Sequence, residues 1–150
     1  MNGLFKTEKK IQSIHGVIIR LLIAIVLIWN VQCAITFLLQ PHLYAPGFQL
    51  SQDLIGITVI RSLGLLFLMW NVPYLFAFVH PLRWKILPLV ILVQQFTAVI
   101  GELWILSTLS SETQILNSIR KFVYFDFGGL ILLSLAFILT RRKPTQKGEI

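Results

Sequence analysis

Apolar residues run along the chain in long blocks, at about Gly16–Leu39, Leu54–Val79, Ile86–Thr108 and Phe122–Thr140. Coiled into a helix at 1.5 Å per residue, each block is long enough to cross a hydrocarbon core of roughly 30 Å. In a bilayer every backbone polar group must find its partner within the segment, and these Leu- and Ile-rich blocks lack the strict alternation of a barrel strand. The pattern therefore predicts helices joined by short connections at Gln40–Asp53, His80–Lys85 and Leu109–Lys121. The reading is one all-α domain over residues 1–150, an integral membrane four-helix transmembrane bundle with basic tails at 1–15 and 141–150.

Composition removes the alternatives. Of 150 residues, 56% are hydrophobic and 13% charged, and mean hydropathy is +0.80. A water-soluble domain of this size needs far more polar surface, and a disordered or fibrous chain needs a composition this one lacks. The net charge of +7 raises nucleic acid as a partner, but the basic residues sit at the ends of the apolar blocks. Anionic lipid and the excess of Lys and Arg in cytoplasmic loops explain that placement, so no nucleic-acid partner is expected. With alternating helices, Lys6, Lys9, Lys10, Arg83, Lys85, Arg141, Arg142, Lys143 and Lys147 share one side, against Arg120 and Lys121 on the other. Both termini are therefore expected in the cytoplasm, with a bacterial inner (cytoplasmic) membrane as the setting. A cleaved signal peptide fits poorly: the first block is too long and no Ala-x-Ala-like site ends it.

Polar residues inside the blocks carry the functional signal, because each ionisable group there costs roughly 2.5–3.5 kcal/mol unless something compensates. Arg20 is close enough to the cytoplasmic interface to snorkel. Arg61, Glu102 and Asp126 fall about 10, 9 and 6 Å below the outer face, which predicts one outer-leaflet cluster of a cation with two anions. At 100° per residue, Ile57, Arg61, Gly64, Leu68 and Asn71 share a face of the second helix. Ile91, Gln94, Gln95, Ala98, Glu102 and Ile105 share one of the third, and Asp126, Gly129, Leu133 and Ala136 one of the fourth. Asn30 and Cys33 share a face of the first. Asn71, Gln94 and Gln95 form a second, uncharged layer about 12 Å from the inner face. The plainer reading makes these layers an ion pair and amide bonds that fix helix register. The sharper one makes them the lining of an outward-opening cavity in which Glu102 or Asp126 meets a cation, a proton or a ligand head group.

Catalytic and metal chemistry is thin. No nucleophile stands between the carboxylates, Cys33 reads as a small packing residue, and no catalytic residue is assigned. His15 and His80 fall on the side opposite His42, so no bis-His haem or metal site forms within the chain, and no cofactor is designated. The loop segment Pro41–Phe48 is rich in turn and aromatic residues. It is expected to lie in the interface, anchored by Tyr44 and Phe48, with a lid over the charged layer as the alternative. Trp84 and Trp104 read as interfacial belt residues. The echo of Leu27–Val31 in Leu68–Val72 is too short to be a repeat.

Arg61-Ser62-Leu63-Gly64-Leu65-Leu66-Phe67, then Pro81-Leu82-Arg83, a late charge at Glu102 and an early acid at Asp126 form a pattern over about two thirds of the chain. In these features it resembles small bacterial four-helix membrane proteins of the DoxX-like type. The resemblance implies membrane assemblies or quinone-dependent oxidation, and it maps no catalytic residue onto this chain. The functional expectation is a non-catalytic accessory subunit or scaffold of a membrane assembly. Its partners would be the bilayer, other membrane subunits or a second copy. The alternative is a binder or carrier of a small amphipathic ligand, lipid or quinone, held at the outer Arg/Glu/Asp cluster. A third is an enzyme turning over that ligand through Glu102 or Asp126.

Overall fold

A computed structural model describes residues 2–84, 86–109 and 114–141, with side chains from Ile14 onward. The helices are α1 (Asn2–Leu39), α2 (Leu54–Trp70), α3 (Val72–Val79), α4 (Leu87–Thr108) and α5 (Gln114–Arg141), and no strand occurs among the described residues. Four segments are long and apolar enough to cross a membrane: Ile14–Leu39, Leu54–Val79, Leu87–Thr108 and Gln114–Arg141. Of the basic residues counted for orientation, the side chains of Lys6, Lys9 and Lys10, together with Lys85, Arg142, Lys143 and Lys147, lie outside the described part.

Several helix bounds depart from expectation for local reasons. The backbone of α1 is already helical at Asn2, within the expected tail. Lys and Glu are good helix formers, and hydropathy reports the membrane rather than the helix. The last helix begins at Gln114, inside the predicted connection. Its first turns carry Ile115, Leu116 and Ile119, all half-buried, while Arg120 and Lys121 are exposed. That is an amphipathic start which an apolar-run criterion misses. The second span is broken at Asn71 into α2 and α3. Pro73 has no N–H to offer the carbonyl one turn back, and its ring crowds that turn. At the break the Asn71 side chain turns back along α2, its Nδ2 donating to Phe67 O at 2.6 Å.

α1 is the hub of the bundle. It packs against α2, α3 and α5, while α4 packs against α5 and α3; the backbone of α2 stays apart from α4 and α5, and α2 reaches α5 through the Phe67 ring, 6.4 Å from that of Phe122. The half that ends at His80–Leu87 (the basic end) is thus a closed ring of α1, α3, α4 and α5. Its core is aliphatic apart from one tyrosine: Ile19, Ile23, Val26, Tyr74, Ala77, Ile91, Leu133 and Ala136. At the other end (the loop end), α2 leans mainly on α1. A Cβ on Gly64 would lie 2.9 Å from the Ala34 carbonyl oxygen, so the missing side chain permits this approach. The space left between α2 and α5 is taken by the connection itself. Short 3-10 turns at Pro41–Leu43 and Ala45–Phe48 fold inward, with Pro41 and Ala45 buried. Asp53 starts α2 as its N-cap, accepting from Gly56 N–H at 3.0 Å. That bond holds its carboxyl below the ordinary carboxylate range.

Candidate functional site

Two features meet at the loop end, an internal polar chain and an aromatic cavity. The polar chain starts from Tyr74 on α3, fully buried, whose hydroxyl donates to Gln95 Oε1 at 2.7 Å. Gln95, 1% exposed, passes the connection on through Nε2, which donates to Asp126 Oδ1 at 2.7 Å and to the Asp126 carbonyl at 3.1 Å. The Asp126 carboxyl in turn lies beside that of Glu102. Among the described residues, no N–H or O–H donor is aimed at Glu102 Oε2. Gly129 makes room for the crossing: a Cβ there would lie 2.9 Å from Gln95 Nε2. The chain therefore ties α3, α4 and α5 together at mid-bundle, and each buried polar group in it costs a desolvation penalty if its partner is lost.

Arg61 does not join the carboxylates. It is exposed on α2, because the face of that helix turned to α1 is Gly56, Ile60 and Gly64. Arg61 follows Ile60 by one residue, a rotation of about 100° away from the contact face. With α2 apart from α4 and α5, no ion pair joins Arg61 to Glu102 or Asp126. The expected three-charge cluster is thus a carboxyl pair braced by a glutamine. Among the expected amide layer, Gln95 is central, whereas Gln94 is half-buried with its Oε1 unpartnered. Asn71 is 4% exposed and caps the break in the second span. Asn30 is half-buried on α1 and takes no part in the chain.

The cavity lies between the folded loop and α5, with a volume of about 370 Å³. Tyr44, Phe48, Phe122 and Phe125 line it, Cys33 lies against it from α1, and Ser118 and Lys121 bring polar groups to it from α5. The roof is tied at two points. Ser118 Oγ donates to Gly47 O at 2.7 Å, and Tyr44 OH donates to Thr36 Oγ1 at 3.3 Å. Beneath it Phe37, 1% exposed, meets Tyr44, Phe48, Phe67 and Phe122 at ring-centroid distances of 4.5 to 6.3 Å. Such tilted and edge-to-face pairs stabilise beyond their buried area by about 0.5–1.5 kcal/mol each.

The sequence did not single out Tyr74, Phe37, Ser118 or Lys121 for a site. A tyrosine inside an apolar block, just after a proline, was the available signal for the first, since a buried phenol needs a partner. The others come together only through the inward fold of the loop. Among the described residues, no group of three or more His, Cys, Asp and Glu side chains could hold a metal ion. No family model, curated protein or solved structure matches the chain, so its own geometry carries the functional argument.

Proposed function

We propose that this chain is a non-catalytic integral membrane protein that holds a small amphipathic molecule, of lipid or quinone type, in the cavity at its loop end. In this reading both termini are cytoplasmic and the cavity opens toward the outer face. The observation that carries it is the cavity itself: a concave, mostly aromatic pocket with a few polar groups at one side, within the usual size range of small-molecule sites. Aromatic walls suit a flat ring or an acyl chain, and Lys121 and Ser118 suit a polar head. The acidic pair is not the ligand's partner in this account. It is turned into the polar chain between helices and serves as a packing device.

That second role also favours the accessory-subunit reading, since the polar chain ties helices together and offers no nucleophile. The test is mass spectrometry of the organic extract of the gently purified protein, beside the same extract from a Ser118→Phe variant built to fill the cavity. A defined amphipathic compound in the native protein, lost or strongly reduced in the variant, supports the reading. The same bulk lipids in both, with a stoichiometric protein partner in the native complex, would replace it with the accessory-subunit role.

A further inference from the structure

A separate place on the molecule, independent of the cavity above, has the makings of a lipid site. At the basic end, a hollow of about 320 Å³ is lined by Gly16 and Arg20 of α1 and by His80, Leu82 and Arg83 of the connection after α3. Arg20 is fixed there, its Nη2 donating to the Val79 carbonyl at 3.3 Å, which leaves the rest of its donor fork free. Arg83 lies 5.8 Å from the centre of the Trp84 ring, and His80 packs edge-on against the same ring at 5.1 Å. Among the residues whose side chains are described, no acidic one lines the hollow. The acids with described side chains are Asp53, Glu102 and Asp126, all at or toward the loop end.

The same seam between α1 and the second span continues toward the middle of the bundle. Val17, Leu21, Val79 and Leu82 are exposed along it. Further on it deepens into a groove of about 610 Å³ lined by Ile28, Val31, Ile35, Asn71, Val72 and Leu75. The helix rise from Arg20 to Ile28 is about 12 Å, comparable to the step from a phosphate to the upper part of its acyl chains. The groove exists because the second span breaks at Asn71 and α3 sets off anew.

We infer that an anionic phospholipid seats on this seam, its phosphate between Arg20 and Arg83 and one acyl chain in the groove beside Val72 and Leu75. Two guanidiniums present planar, forked donors to phosphate oxygens, an arrangement lysines would not reproduce. An aromatic ring at the same level suits the interface between head groups and chains. The paired features select one occupant: the charge asks for an anion, and the adjoining apolar groove asks for a chain.

The experiment is native mass spectrometry of the delipidated full chain in detergent, titrated separately with phosphatidylglycerol, phosphatidylcholine and inorganic phosphate. The native protein should take up one phosphatidylglycerol with at least a tenfold preference over phosphatidylcholine. Arg83→Gln, at an exposed position, should lower that preference about fivefold, and the Arg20→Gln/Arg83→Gln pair about thirtyfold. Leu75→Trp, which fills the groove and leaves both arginines, should weaken phosphatidylglycerol and leave phosphate unchanged. Equal uptake of the two lipids by the native protein would overturn the proposal, as would a preference that survives the double substitution. Displacement of the lipid by millimolar inorganic phosphate, with Leu75→Trp without effect, would overturn it in favour of a free-phosphate site.

Discussion

At the basic end, α1, α3, α4 and α5 close a ring around a mainly aliphatic core, and Tyr74 is its one large polar-tipped member. At the loop end, α2 rests mainly on α1, and the ring is completed by the folded connection, around a core of Phe37 from α1, Ile60 from α2 and Ala45 of the loop with aromatic side chains about them. Helix against helix fills space with small repeating side chains, whereas loop against helix must fill an irregular gap, and large flat rings do so incompletely. The cavity lies at that incomplete closure. The difference teaches that in this fold a concave pocket does not need a cluster of charged side chains. It follows from replacing one helix–helix contact by a loop.

The strongest way to break the comparison is Phe37→Ala. Removing a fully buried ring with several aromatic neighbours should cost about 3–5 kcal/mol. It should also release the segment from Pro41 to Phe48 while the basic end stays closed. Hydrogen exchange followed by mass spectrometry checks this. Fast exchange confined to the loop end is the expected outcome, and uniform opening of both halves would mean that they are one cooperative unit.

A smaller effect separates two adjacent glycines. Gly129→Ala drives a methyl group against Gln95 Nε2 and should cost about 1–3 kcal/mol, whereas Gly128, with open space where a Cβ would stand, should tolerate Ala within about 0.5 kcal/mol. Thermal unfolding in one detergent compares them. Equal losses would show that Gln95 does not cross at Gly129.

The smallest expected change comes from Glu102→Gln. An amide at this position can donate to Asp126, so stability should move by no more than about 1 kcal/mol. The amount of amphipathic compound recovered with the protein should not change. A selective loss of that compound, with stability intact, would return Glu102 to the binding site and remove the division between packing chain and cavity.

Much of the architecture was legible in the sequence, because bilayer-length apolar runs are a strong one-dimensional signal. Leu54–Val79 was read at both ends, and the third helix within one residue. The inward face of the last helix, Gly129, Leu133 and Ala136, also came from periodicity alone. What escaped depends on how helices are rotated and where they part. Arg61 differs from buried Ile60 by a single helical step, and only the close approach of Gly64 to Ala34 fixes which of them faces inward. Gln94 and Gln95 were equal candidates by hydropathy, and the bond to Tyr74 across helices decides between them. The sequence reads the loop as an interfacial segment anchored by Tyr44 and Phe48, with a lid over charges as the alternative. It folds inward over rings instead, with Ala45 buried and Ser118 supplying a hydroxyl that holds the turn at Gly47.

The central claim, an open cavity under the loop end, is tested most directly at Cys33, the chain's one cysteine, which lines it. The measurement is the rate at which a small neutral methanethiosulfonate modifies Cys33 in the native protein and in Ser118→Phe, with Cys33→Ser as the blank. The account predicts modification of one thiol in the native protein and a rate at least tenfold lower when the cavity is filled. Equal rates in the two proteins, or no modification of either, would contradict it.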